Sequence, residues 1–160
     1  MNKTFYYKTE QLLPISSERA WNFFSSPENL TLITPPDLDF KVLTILENTE
    51  IFEGMIIEYQ VKPLFGISVR WKTEICEVKK PFSFTDRQVE GPYKTWIHQH
   101  RFIEQENGLL MIDDVRYALP YGLIGTLSHS LLVRKKIEKI FDYRRQVLQK
   151  IFLRNEYNHN

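Results

Sequence analysis

A chain of 160 residues with 42% hydrophobic and 14% aromatic content is long enough to bury one core and too short for two comfortable ones. Its lone cysteine, Cys76, excludes an internal disulfide and a multi-cysteine zinc site, and its net charge is only +1. No apolar run approaches the roughly 20 residues that span a bilayer, and Met1 to Tyr6 lacks an apolar signal core, so one cytoplasmic domain over residues 1–154 is the expectation.

Thr4 to Leu13 have the mixed aromatic and polar texture of a strand, which Pro14 ends by removing a ladder donor. A helix follows, capped by Ser16 or Ser17, with Ala20, Trp21 and Phe24 at helical spacing as packing residues. Ser26-Pro27 then opens a second short helix with proline at its first position. Thr34-Pro35-Pro36-Asp37 breaks that helix, and Phe40 to Leu46, rich in β-branched and aromatic residues, predicts a strand. Met55 to Lys62 alternates and Pro63 to Gly66 turns. From Ile67 to Val78, Val69, Trp71, Thr73 and Ile75 then face away from Arg70, Lys72 and Glu74.

Phe82 to Glu90, Lys94 to Glu106 and Leu109 to Leu119 complete an antiparallel meander, separated by Gly91-Pro92 and Asn107-Gly108. A turn on Asn107-Gly108 pairs Glu106 with Leu109, which sets Phe102 opposite Asp113, His100 opposite Val115 and His98 opposite Tyr117. One face then carries Trp96, His98, His100, Asp113 and Tyr117, while Gln99, Arg101, Asp114 and Arg116 take the other. The second set belongs in water, so the first faces inward. Buried imidazoles and carboxylates need mutual hydrogen bonds, water or a ligand, because an unpartnered polar group costs roughly 2–7 kcal/mol.

After Gly125 and as far as Phe152 there is neither proline nor glycine, which predicts one long helix, and only Asn155 to Asn160 reads as a frayed tail. Val133, Ile137, Ile140, Phe141, Val147, Leu148, Ile151 and Phe152 share an arc, with Arg144 near its middle and Thr126, His129 and Ser130 extending it. The span Arg134 to Arg154 holds eight cations and two anions, leaving about −5 on the rest of the chain. Glu138 and Asp142 interrupt this basic face and no aromatic residues interleave with it. It therefore reads as solvated, with no nucleic acid and no stable membrane insertion expected; contact with an anionic surface is the alternative.

The predicted order is β, α, α, a six-stranded meander, then a long α. A strongly curved sheet wrapped on one helix leaves an interior void, since a single helix is too narrow to fill the concave side.

That order, with Pro14-Ile15-Ser16-Ser17-Glu18-Arg19-Ala20-Trp21 and Phe24-Ser25-Ser26-Pro27-Glu28-Asn29-Leu30, resembles the START-like or SRPBCC superfamily over nearly the whole chain. Phe84 to Gln88, Gly91-Pro92-Tyr93, Trp96 to Phe102 and Asp113 to Tyr117 look like the bacterial group of ligand-binding SRPBCC-domain proteins. The resemblance implies an α+β helix-grip fold. It also implies a cavity for lipid-, sterol- or polyketide-like molecules and, in some branches, cyclase, dehydratase or hydrolase chemistry.

From the residues themselves, the candidate ligand-binding set is Trp71, Asp86, Gln88, Trp96, His98, His100, Asp113, Tyr117, His129 and Arg144. Asp86 and Gln88 alternate with Phe82 and Phe84 on the presumed inner face, though a one-residue slip at Gly91-Pro92 would turn them outward. If inward, Asp86 either pairs with Arg144 or touches ligand. His98-x-His100 would bind a metal only with a third ligand such as Asp113; it is read here as hydrogen-bonding wall, with no metal and no cofactor expected. The same His–Asp neighbourhood makes His98, His100 and Asp113 the candidates for acid/base chemistry. Cys76 lies on the outward side and no Gly-x-Ser-x-Gly turn occurs, which argues against covalent catalysis. Leu123 and Ile124, between Gly122 and Gly125, suit a lip at the cavity entrance.

Overall fold

The computed structural model describes residues 3–44, 50–63, 66–120 and 127–154, the side chains of 127–130 and of 154 excepted. Strand β1 (Thr4–Leu13) leads into helix α1 (Ser17–Phe24), whose cap is Ser16: its hydroxyl accepts the Arg19 N–H at 3.2 Å. The second short helix is a 3₁₀ turn over Pro27–Thr31, followed by another over Pro36–Leu38. Next come β2 (Lys41–Val42), β3 (Ile56–Val61), β4 (Val69–Lys79), β5 (Ser83–Glu90), β6 (Thr95–Gln105), β7 (Gly108–Ala118) and helix α2 (Leu127–Arg154). Phe40 to Leu46 was expected to be a full strand, but only Lys41 and Val42 pair; 45–49 lie outside the described residues, as do Leu123, Ile124 and the tail 155–160.

The seven strands among the described residues form one antiparallel sheet in the order β1-β7-β6-β5-β4-β3-β2. β2 to β7 are thus the expected meander, and β1 joins it at the far edge beside β7. Two register shifts between β4 and β5, at Lys72/Thr73 and Ile75/Glu77, bend the sheet locally.

The β6–β7 register differs from the sequence expectation by two residues. The turn is Glu106-Asn107, so Gln105 pairs with Gly108, Phe102 with Met111, His100 with Asp113, His98 with Val115 and Trp96 with Tyr117. Gly108 is the first residue of β7 rather than part of the turn because it has φ +135° and lies against β1, where a Cβ would stand 2.2 Å from the Leu13 carbonyl oxygen. A two-residue slip conserves side-chain parity, so the inward face is the predicted one.

Helix α2, about 42 Å long at 1.5 Å per residue, is tied to β1 by side chains at its middle. Gln11 Nε2 donates to the Arg145 carbonyl at 3.0 Å, and Arg145 Nη2 donates to Thr9 Oγ1 at 2.6 Å. The core divides into two clusters along the helix. Leu148 and Phe152 pack with Trp21, Phe24 and Phe102, whereas Val133, Ile137 and Phe141 pack with Val115, Tyr117 and Leu119. Each buried side chain of this size contributes roughly 1.5–3 kcal/mol. Arg144 lies on the same helical stripe between Phe141 and Leu148, so a buried cation separates the two apolar halves.

Candidate functional site

The polar layer between these halves is built from three neighbouring strands. Asp86 on β5 is the cross-strand partner of His98 on β6, and His100 is the partner of Asp113 on β7. All four side chains point to the concave face. Nε2 of His98 lies 2.7 Å from Asp113 Oδ1, and Nε2 of His100 lies 3.1 Å from Asp86 Oδ2. His100 Nδ1 is also 3.1 Å from Asp113 Oδ1 but outside hydrogen-bond geometry, and His98 Nδ1 is 3.9 Å from Asp86 Oδ2. The two imidazoles lie against each other with centroids 3.7 Å apart, and Phe84 stacks on the far side of His100 at 4.1 Å.

Burial and the neighbouring charges oppose each other in this ring of groups. Burial would raise the Asp113 carboxyl, but the adjoining His100 and His98 imidazoles outweigh it and hold the group far below the usual carboxylate range. Burial and the neighbouring His100 push His98 below the ordinary histidine value, with Asp113 and Asp86 opposing only in part. Burial also acts against charge on His100, yet the neighbouring Asp113 and Asp86 carboxylates prevail and raise it. The two imidazoles are thus shifted in opposite directions, His100 upward and His98 downward.

Arg144 approaches from α2. Its Nη1 is 3.7 Å from Asp113 Oδ1, its guanidinium lies 4.8 Å from the Phe141 ring centroid, and Nε and Nη1 are buried without a hydrogen bond. The carboxylate beside Arg144 is therefore Asp113, not Asp86 as the inward reading of β5 had suggested, because Asp86 is turned to the histidines.

In front of this layer is a cavity of about 170 Å³, lined by Asp86, His98, His100 and Arg144 together with Tyr59, Trp71, Phe84, Tyr93, Trp96 and Phe141. Its aromatic wall is interlocked: Trp71 meets Trp96 edge-on at 5.3 Å, and Tyr93 lies 4.8 Å from Trp96. Burial raises the phenols of Tyr59 and Tyr93 far above their usual value, so both remain neutral hydrogen-bonding groups.

Of the residues singled out from sequence, Trp71, Asp86, Trp96, His98, His100 and Arg144 line this space. Asp113 is behind the histidines and does not face it. Tyr117 is 1% exposed and stacked on Phe5 at 5.4 Å, within the core rather than on the wall. Gln88 faces inward but is spent on the turn: its Nε2 donates to the Tyr93 carbonyl at 2.6 Å and its Oε1 accepts the Tyr93 N–H at 3.2 Å. The His129 side chain lies outside the described residues. Cys76 is half-buried, with burial raising its thiol, and its Sγ contacts the Thr85 carbonyl at 3.5 Å.

Tyr59 and Tyr93 were not anticipated. Tyr59 had a signal, since it shares strand parity with the buried Ile57 and Val61. Tyr93 follows a turn, where no periodicity assigns a face.

No protein-family model matches the chain, and no curated protein matches it. Solved structures do. The di-domain ARO/CYC protein StfQ from the steffimycin biosynthetic pathway aligns at TM-score 0.71 and 7% identity over 96% of this chain and 52% of its own. The protein TTHA0849 from Thermus thermophilus gives 0.67 and 18% over 94% and 99%. A norcoclaurine synthase point mutant from Thalictrum flavum gives 0.65 and 12% over 94% and 97%. Identities this low carry the architecture and nothing finer. With its curved seven-stranded sheet closed by a long C-terminal helix, the chain has a helix-grip fold.

Proposed function

We propose that this protein binds a small, largely apolar molecule in the cavity between the sheet and α2. The observation that carries the reading is Arg144: a buried guanidinium whose Nε and Nη1 make no hydrogen bond, bordering a space walled mainly by aromatic and aliphatic side chains. Trp71, Trp96, Tyr59 and Tyr93 would supply apolar area, and Arg144, His98 and His100 would meet an oxygen or acidic group on the guest. A volume of about 170 Å³ is below the roughly 300–1,000 Å³ of pockets for drug-sized ligands. The guest is therefore small, or the aromatic wall opens to admit it.

A second reading, a non-covalent acid/base enzyme, is favoured by one feature, the 2.7 Å contact between His98 and Asp113. Two of the similar structures carry the names ARO/CYC and synthase, so the fold accommodates enzymes.

Native mass spectrometry of protein taken directly from cells tests the first reading. A retained organic mass, lost in Arg144→Met and Trp96→Ala, is expected; protein that arrives empty and takes up no apolar probe overturns it. With a guest in hand, His98→Ala separates the two readings. Weakened uptake supports a binder, whereas preserved uptake with abolished turnover supports an enzyme.

A further inference from the structure

We propose that Asp86, His98 and His100 form a site for a divalent transition-metal ion, a two-histidine, one-carboxylate set, with Asp113 orienting both imidazoles from behind. From sequence, Asp113 is the candidate third ligand and no metal is expected. The register reverses those roles: Asp86, opposite His98, is in front of the rings, and Asp113, opposite His100, is behind them.

One donor atom from each of Asp86, His98 and His100 lies within 4.8 Å of the other two. Asp86 Oδ2 is 3.1 Å from His100 Nε2 and 3.9 Å from His98 Nδ1. Ligands about 2.0–2.2 Å from a first-row ion stand about 2.8–3.6 Å apart at octahedral to tetrahedral angles. Of the three edges, Asp86–His100 already matches, and side-chain rotation would bring in the Asp86–His98 edge at 3.9 Å and the His98–His100 edge, which lies within 4.8 Å.

The opposite nitrogens of both rings face a single oxygen. Asp113 Oδ1 is 2.7 Å from His98 Nε2 and 3.1 Å from His100 Nδ1. A carboxylate that takes the far N–H of each imidazole turns both remaining lone pairs toward Asp86, the outer-shell relation that fixes metal-binding histidines. In the present arrangement His100 Nδ1 is buried without a hydrogen bond, an unsatisfied polar atom within the cluster. All three donors come from one side of the cavity, which leaves coordination positions open on the aromatic side. Two imidazoles with one carboxylate select a borderline ion such as Zn²⁺, Co²⁺ or Fe²⁺ over Mg²⁺ or Ca²⁺. The site does not depend on an organic guest.

The test is titration of chelator-stripped, full-length protein with Zn²⁺ and Co²⁺, following heat and the visible Co²⁺ bands. One equivalent is expected, with the imidazole NMR signals of His98 and His100 moving and those of His129 and His159 unaffected. Asp86→Asn should weaken binding by more than the roughly 10–100-fold typical of outer-shell changes, and Asp113→Asn by an amount within that range. Circular dichroism identifies a variant that has not folded, in which case the wild-type NMR result decides. The proposal is overturned by the absence of saturable binding, by Asp86→Asn retaining full affinity, or by shifts confined to His129 and His159.

Discussion

His98 Nε2 and Asp113 Oδ1 are 2.7 Å apart at a point where each residue is about 95% removed from solvent, and the same oxygen lies 3.7 Å from Arg144 Nη1. One carboxylate thereby ties the inner strand face to the closing helix. The two nitrogen groups around it are not equivalent, however, since the imidazole is aligned with the oxygen and the guanidinium is not.

That inequality predicts opposite outcomes for two substitutions. Asp113→Ala should destabilise the fold by about 3–5 kcal/mol, because it leaves buried donors facing no acceptor. Arg144→Met should leave stability unchanged or raise it by roughly 1–4 kcal/mol, since a buried charge with unpartnered N–H groups gives way to a side chain that packs. Urea denaturation with unchanged slope measures both, and a loss on Arg144→Met as large as that on Asp113→Ala would refute the assignment.

The histidines should titrate on opposite sides of the ordinary value near 6.5 in metal-free protein. The groups facing them are Asp86 and Asp113 on the flanking strands and Arg144 on α2. His98 is depressed, so the stability it contributes is present above the unfolded value and is lost as pH falls below it. His100 is raised, so its contribution is complete below the unfolded value and is lost as pH rises through the folded one. Imidazole NMR signals should give two separate midpoints, and Asp113→Asn should lower that of His100. A single shared midpoint near 6.5 would contradict this.

Gly108→Ala should be among the most damaging glycine substitutions. Its φ of +135° excludes a side chain at a cost of about 1–3 kcal/mol, and the added methyl would collide with the Leu13 carbonyl. At roughly 2–4 °C per kcal/mol for a chain of this size, thermal unfolding should fall by several degrees. Gly54→Ala, with φ +89° but open space around it, should lose less.

Gln88→Ala should act on the cavity without being in it. Removing two hydrogen bonds to the Tyr93 backbone costs about 1–2 kcal/mol and frees the turn that holds the Tyr93 ring against Trp71 and Trp96. A modest drop in stability should accompany a change in tryptophan fluorescence and weaker uptake of an apolar probe. Unchanged fluorescence would show that the turn keeps its shape unaided.

Local patterning alone determined the succession of elements, the inward face of β6 and β7, and the place of Arg144 on the apolar arc of α2. Each follows from a period of 2 or 3.6 residues, which is a property of the chain itself. Parity also survived the two-residue error at the Glu106-Asn107 turn. Which carboxylate stands before the histidines and which behind, the diversion of Gln88 to its turn, the withdrawal of Tyr117 into the core and the entry of Tyr93 into the wall were decided only in three dimensions. Those outcomes depend on strand register, and register depends on a turn, two bulges and a glycine packed against β1. Such features move a side chain along its strand without altering the hydrophobic pattern that a sequence displays.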